Sequence, residues 1–207
     1  MTALLSAEEC LDVLASGGVV ALPTDTVYGL AASLHQPEAL SEIFRLKDRP
    51  RDVSLPILVP DVEAIMALGV TLNEPALALA ECFWPGALTI VVPVPGELAA
   101  LVGATATLGF RIPDRADLRA LLQLTGPLAV TSANHHGEPP ATTADAVVAA
   151  FNGRGLIGVF DGGVCAGVVS TVVSLEGPWR VLRHGGVLEE HVADALGVST
   201  MSDQPEN

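Results

Sequence analysis

Ala87-Leu88-Thr89-Ile90-Val91-Val92-Pro93-Val94 is the longest β-branched run in the chain. A run that is apolar on successive residues suits a strand buried on both faces, and such strands need helices above and below the sheet. Shorter runs of the same kind occupy residues 19–22, 55–59, 107–112, 127–131, 156–160, 170–175 and 179–183. Helix signals lie between them. Ser6-Ala7-Glu8-Glu9 is a capping-box pattern, and Gly17-Gly18 stops the helix it opens. Pro37 sits where a first helical turn tolerates it; Leu40, Ile43 and Phe44 follow on one face, and Pro50 ends the helix. Asn73 and Pro75 begin a helix that halts at Trp84-Pro85-Gly86. Asp114, Thr143 and Leu188 open three more. The count is about eight strands and six helices. They do not alternate strictly, so the expected fold is α/β with a twisted mixed parallel/antiparallel sheet, flanking helices, and residues 87–94 at its centre. Nothing resembles a linker, so residues 1–197 read as a single domain and residues 198–207 as a disordered polar tail.

Charge points to where the chemistry lies. The 207 residues carry ten Lys and Arg against twenty-four Asp and Glu, a formal net charge of −14. Four of the ten cations fall within Arg45-Leu46-Lys47-Asp48-Arg49-Pro50-Arg51, and Lys47 is the only lysine. Scarce cations gathered in an acidic chain suggest an anion held there, although cations at a helix C-terminus also answer the helix dipole. The acidic balance argues against a general nucleic-acid coat. Cys10, Cys82 and Cys165 show no C-x-x-C spacing, which argues for a reducing compartment, no disulfide framework and no zinc site. The polar start predicts no signal peptide, and no apolar run reaches the roughly 18–20 residues of a membrane span. The expectation is a cytoplasmic protein with no metal ligands and no membrane partner.

Several motifs carry nothing. Gly153-Arg154-Gly155-Leu156-Ile157-Gly158 spells a dinucleotide fingerprint but follows a helix and precedes a strand, the reverse of the required order, and reads as a helix stop and turn. His135-His136 read as surface histidines. No serine lies in a G-x-S-x-G elbow. Four positions do suggest a site. Thr24 and Thr26 flank Asp25 just past a buried strand. Arg111 ends a strand whose neighbours are apolar, so its guanidinium must be paired or meet a ligand. Ser132 and Asn134 follow the strand at residues 127–131, and Arg183 ends another. Strand ends are where ligands bind in open α/β sheets. With Lys47 and Arg49 these groups suggest a crevice for a polyanion.

Pro23-Thr24-Asp25-Thr26-Val27-Tyr28-Gly29-Leu30, Lys47-Asp48-Arg49-Pro50, Phe83-Trp84-Pro85-Gly86-Ala87-Leu88-Thr89, Arg111-Ile112-Pro113, Thr131-Ser132-Ala133-Asn134, Ser170-Thr171-Val172-Val173 and Leu182-Arg183 together resemble the YrdC-like threonylcarbamoyl-AMP synthase family. The likeness runs in order from about Leu5 to Val187, over a single such domain without the C-terminal extension of the longer synthases. It implies a YrdC-like fold around a positively lined concave cavity. It also implies the reaction of L-threonine, bicarbonate and ATP, with Mg²⁺, to threonylcarbamoyl-AMP and pyrophosphate, for the threonylcarbamoyladenosine modification of tRNA. Carried over by position, Thr26, Arg111 and Ser170 would hold threonine. Lys47, Arg49, Thr107, Ser132, Asn134 and Arg183 would hold ATP, with Lys47 and Arg49 catalytic. Positioning and cations supply most of the catalysis in such chemistry, so no side-chain nucleophile is needed. Substituting Lys47 or Arg49 by alanine is expected to abolish activity and leave the melting temperature nearly unchanged.

Val53-Ser54-Leu55 stands where members usually read Lys/Asn-Pro-Leu, and Leu58 near a position where they often carry histidine. Tests separate three readings. Pyrophosphate release marks the synthase, which would pass its product to tRNA or a downstream transferase. Salt-sensitive RNA affinity without turnover marks an RNA-binding maturation factor. Nucleotide binding without adenylate marks a YciO-like relative.

Overall fold

The computed structural model of the chain describes residues 2–48, 54–135 and 137–198. In chain order the elements are β1 (Ala3–Leu5), α1 (Ala7–Ala15), β2 (Val20–Leu22), β3 (Gly29–Ser33), α2 (Pro37–Leu46), β4 (Ile57–Leu58), α3 (Val62–Ala67), α4 (Glu74–Phe83), β5 (Leu88–Pro93) and α5 (Gly96–Leu101). They continue as β6 (Thr107–Arg111), α6 (Ala116–Thr125), β7 (Leu128–Ser132), α7 (Ala144–Phe151), β8 (Gly158–Phe160), β9 (Thr171–Ser174), β10 (Arg180–Arg183) and α8 (Glu189–Ala195). Three helix starts follow the expected chemistry, but α6 does not: its N-cap is Arg115, with no side-chain cap bond, and not the expected Asp114. Ser6 Oγ accepts from Glu9 N at 3.2 Å while Glu9 Oε2 accepts from Ser6 N at 2.7 Å, a reciprocal capping box. Asn73 and Thr143 each accept from the backbone N–H three residues on.

All strands join one sheet in the order β1-β8-β2-β3-β7-β4-β6-β5-β9-β10. The β1–β8, β8–β2, β4–β6 and β5–β9 pairs are parallel; the others are antiparallel. The mixed sheet is therefore as expected, but its centre is not. β5 lies third from the β10 edge; β7 and β4 hold the middle, with β3 beside β7. β3 is Gly-Leu-Ala-Ala-Ser, fully buried yet poor in β-branched residues, so it gives no propensity signal. Its small side chains are what a crowded central position admits. A Cβ on Gly29 would lie 2.5 Å from Val130 Cγ1.

Alternation along the strands splits the interior in two. Ala21, Leu30, Ala32, Ile57, Phe110 and Ile90 point into a large cluster with the apolar residues of α2, α3, α4, α5, α7 and α8. Val20, Leu22, Ala31, Leu58, Leu128 and Val130 point the other way, against Cys10 and Leu14 of α1 and Leu118, Leu121 and Leu122 of α6. Two helices cannot cover a face this wide. They cap the β8-to-β4 part and leave the region over β6, β5, β9 and β10 to polar side chains.

Cys10 lies within the smaller cluster and burial pushes its thiol up to about 11; burial also raises Cys165. Cys82 alone of the three is exposed. In the native protein at neutral pH, a thiol-titrating reagent should modify one cysteine quickly and all three only in denaturant. Because the folded Cys10 holds its proton more tightly than the unfolded one, its contribution to stability is whole below the ordinary thiol range. It should decline as pH rises from about 9 toward 11 in alkaline melting curves.

Candidate functional site

β6 ends at Arg111, which is only 5 % exposed. A guanidinium so placed needs partners, and three chain segments supply them. Nε donates to Gly86 O at 2.9 Å, Nη1 donates to Thr26 Oγ1 at 2.9 Å, and Nη2 pairs with the Asp25 carboxylate. The loop after β2 is shaped for this. Thr24 Oγ1 accepts from the N–H groups of Thr26 and Val27 and donates to Val27 O at 2.7 Å, turning Asp25 and Thr26 toward β6. The turn at Trp84-Pro85-Gly86 contains a cis peptide before Pro85 and is tied down by Gly86 N donating to Ile112 O and by Trp84 Nε1 donating to Leu88 O. A guanidinium has five N–H groups, so these three bonds leave two.

β9 and β10 build the opposite wall. Arg183 donates to Ser170 through Nε and Nη2 to the carbonyl, at 3.1 and 3.0 Å, and through Nη2 to Oγ at 2.9 Å. The segment after β10 folds back against this corner. Gly186 N donates to Val169 O, Thr171 Oγ1 donates to Val187 O at 2.6 Å, and a Cβ on Gly185 would fall 2.3 Å from Val169 O. Ser170 Oγ also lies 2.9 Å from Thr89 Oγ1 on β5.

The third wall is the end of β7. Ser132 Oγ donates to Asn134 Oδ1 at 2.6 Å, and Asn134 Nδ2 donates to the carbonyls of His135 and Glu138. Lys47, the C-cap residue of α2, is 3 % exposed. Its ammonium donates to Ser132 O at 2.5 Å, to Asn134 O at 2.7 Å and to Asn134 Oδ1 at 3.0 Å. His135 is half-buried: Nε2 lies 2.9 Å from Ala150 O, the ring packs on Phe151 at 5.0 Å, and Nδ1 is buried with no partner among the described residues. It is not the surface histidine expected, and His136 lies outside the described residues.

These walls enclose a cavity of about 140 Å³. Thr26, Arg111, Ser132, Ser170 and Arg183 all line it, as expected from sequence. Tyr28, Leu58, Thr89, Val130 and Thr131 line it without having been singled out as site residues. Lys47 and Asn134 stand behind Ser132, bound to it directly. Thr107 is not brought in. It pairs with Pro93 at the far end of β6, four residues and roughly 13 Å from Arg111. Arg49 and Arg51 lie outside the described residues. The cationic stretch does not act as one cluster, because Arg45 turns away to pair with Glu42 and donate to Arg154 O. Asp48, at φ 50, pairs with Arg154, which holds its carboxyl below the usual range. The residues from Gly153 to Ile157 lie in the turn between α7 and β8, as expected, and Gly158 begins β8.

Two guanidinium groups and several hydroxyls therefore line one small hollow on a mixed α/β sheet. The Sua5/yciO/yrdC family, described as telomere recombination, matches residues 12–185, and the chain belongs to it. It is 38% identical over 190 residues to the threonylcarbamoyl-AMP synthase of Bacillus subtilis, covering 89% of this chain and 55% of that protein. It is 35% identical over 189 residues to a putative threonylcarbamoyl-AMP synthase of Mycobacterium tuberculosis, covering 90% and 87%. Among solved structures, Pyrococcus abyssi Sua5 complexed with L-threonine superposes with a TM-score of 0.84 at 36% identity, over 92% of this chain and 57% of that one. The chain thus spans little more than half the length of the Bacillus and Pyrococcus proteins.

The geometry reverses one expectation. Lys47→Ala would strand the Ser132 and Asn134 acceptors in a buried site, so it should lose about 3 kcal/mol, or roughly 6–12 °C in Tm. Thermal unfolding of Lys47→Ala beside the exposed-site control Arg45→Ala checks this, and the control should melt within about 2 °C of wild type.

Proposed function

We propose that this chain is an L-threonylcarbamoyladenylate synthase, a nucleotidyltransferase that makes threonylcarbamoyl-AMP and pyrophosphate from L-threonine, bicarbonate and ATP. One observation carries the reading. A hollow of amino-acid size, walled by Arg111 and Arg183, occurs in a chain 36% identical to a protein crystallised with L-threonine. Its product would serve the threonylcarbamoyladenosine modification of tRNA through a downstream transferase, in the cytoplasm.

The residues divide the work by chemistry. The two remaining N–H groups of Arg111 suit a carboxylate, with Thr26 and Ser170 offering hydroxyls on either side. The nucleotide would lie at the rim beside Ser132, Asn134 and Arg183, with Arg49 added from the segment outside the described residues. Lys47 acts through Ser132 and Asn134, holding their loop and placing a positive charge behind it. In the reaction, the threonine nitrogen bonds to the bicarbonate carbon, a C–O bond of bicarbonate breaks, and water leaves to give a carbamate. A carbamate oxygen forms a bond to the α-phosphorus, the bond from that phosphorus to the bridging oxygen breaks, and pyrophosphate leaves with the electron pair. Charge develops on phosphate oxygens, where Arg183 is already fixed by Ser170 and needs no reorganisation.

Among the described residues no group of three or more His, Cys, Asp and Glu could hold a metal. Among the described residues there is thus no cage for Mg²⁺, which would enter on the triphosphate oxygens. No helix of the described residues is long and apolar enough to cross a membrane.

The test is pyrophosphate release by the full chain. Release should require ATP, L-threonine and bicarbonate together, and release indifferent to threonine would overturn the reading. Arg183→Gln should lower kcat/KM by about 100-fold with a Tm shift under about 3 °C, since it removes a contact strongest in the transition state from an exposed side chain.

A further inference from the structure

Thr89 has no part in the scheme above, yet it occupies the floor of the same cavity. It lies on β5 beside the end of β6 and is 4 % exposed. Its hydroxyl lies 2.9 Å from Ser170 Oγ, which in turn accepts from Arg183 Nη2 at 2.9 Å.

Counting protons shows what this pair does. Two hydroxyls carry two protons, and one of them lies in the bond between the two oxygens. The other is left for the cavity, which both side chains line. With Arg183 donating into Ser170 Oγ, the arrangement that serves an oxyanion is Thr89 donating to Ser170 and Ser170 donating onward. Ser170 then accepts twice and donates once, and each bond polarises the next. Without Thr89, the Ser170 hydroxyl would keep the Arg183 contact and lose the bond that orders its proton.

The sheet makes room for Thr89. A β-branched side chain has few rotamers. The methyl of Thr89 occupies the space above Gly109 of β6, where a Cβ would sit 2.8 Å from Thr89 Cγ2. Glycine inside a strand weakens it and marks a close approach. Here the approaching group is the methyl whose packing aims Thr89 Oγ1 at Ser170.

We infer that Thr89 is a positioning residue, setting the Ser170 hydroxyl as a donor to the carboxylate of the amino acid held by Arg111. The inference rests on the proposed synthase reading for its ligand. It is tested with Thr89→Val, which keeps the shape and removes the hydroxyl, and Thr89→Ser, which keeps the hydroxyl. In pyrophosphate release by the full chain, Thr89→Val should raise the KM for L-threonine roughly tenfold and leave the KM for ATP within about twofold. Thr89→Ser should restore the threonine KM to within about twofold of wild type. A hydroxyl with a merely structural role would lower Tm in Thr89→Val and leave both KM values alone, and that result overturns the inference while the synthase reading stands. A second readout needs no turnover. In the ligand-free protein, the Ser170 hydroxyl proton followed by NMR should exchange with water faster in Thr89→Val than in wild type, and at the wild-type rate in Thr89→Ser. If the wild type releases no threonine-dependent pyrophosphate but this pattern appears, the function falls and the positioning of the Ser170 hydroxyl by Thr89 stands. Equal exchange of the Ser170 proton in all three proteins overturns the positioning role.

Discussion

Burying the Arg111 guanidinium is the constraint on which the site depends. Removing such a group from water costs several kcal/mol unless its hydrogen-bonding positions are filled with good geometry. The partners come from far along the chain: Asp25 and Thr26 before β3, and the Gly86 carbonyl at the turn before β5. The charge is satisfied only when these segments meet at the end of β6, so closing the fold and assembling the cavity are one event. The same pairing leaves part of the guanidinium for a ligand, which a fully exposed arginine would offer without orientation.

The sheet explains why the hollow lies where it does. Six helices pack on one face, while α1 and α6 cover only part of the other. On the uncovered part, alternation sends Thr89, Arg111 and Ser170 to the same side, so the positions that would otherwise join a core become a polar lining. Lys47 reaches this region from the six-helix side and fixes the loop after β7 by its own backbone carbonyls. In a chain whose net charge is −14, the cationic lining is locally distinct.

Much of this was legible in the residues. The capping box at Ser6, the runs that became β5, β6, β7 and β9, and the placing of Arg111, Ser132 and Arg183 at strand ends follow from pattern and burial cost, whereas Ser170 was placed by resemblance. β3 was not legible, because Gly29, Ala31 and Ala32 carry no strand preference and owe their conformation to neighbours on both sides. The short elements β1, α3 and α5 are set by tertiary contact for the same reason. Lys47 and Arg45 looked alike in sequence, yet one is drawn inward by three acceptors and the other stays with Glu42. Thr107 was placed by resemblance, and the register of β6 puts it at the wrong end of its strand. Thr89 gave no signal, since a threonine inside a β-branched run is indistinguishable from core until Gly109 and Ser170 stand beside it.

Lys47 is the chain's one lysine, and it is 3 % exposed. The surface consequently carries no side-chain amine at all. Acylating reagents, amine cross-linkers and enzymatic acetylation would find no lysine to modify while the protein stays folded. Modification of Lys47 would thus report that the end of α2 has come away from the Ser132–Asn134 loop.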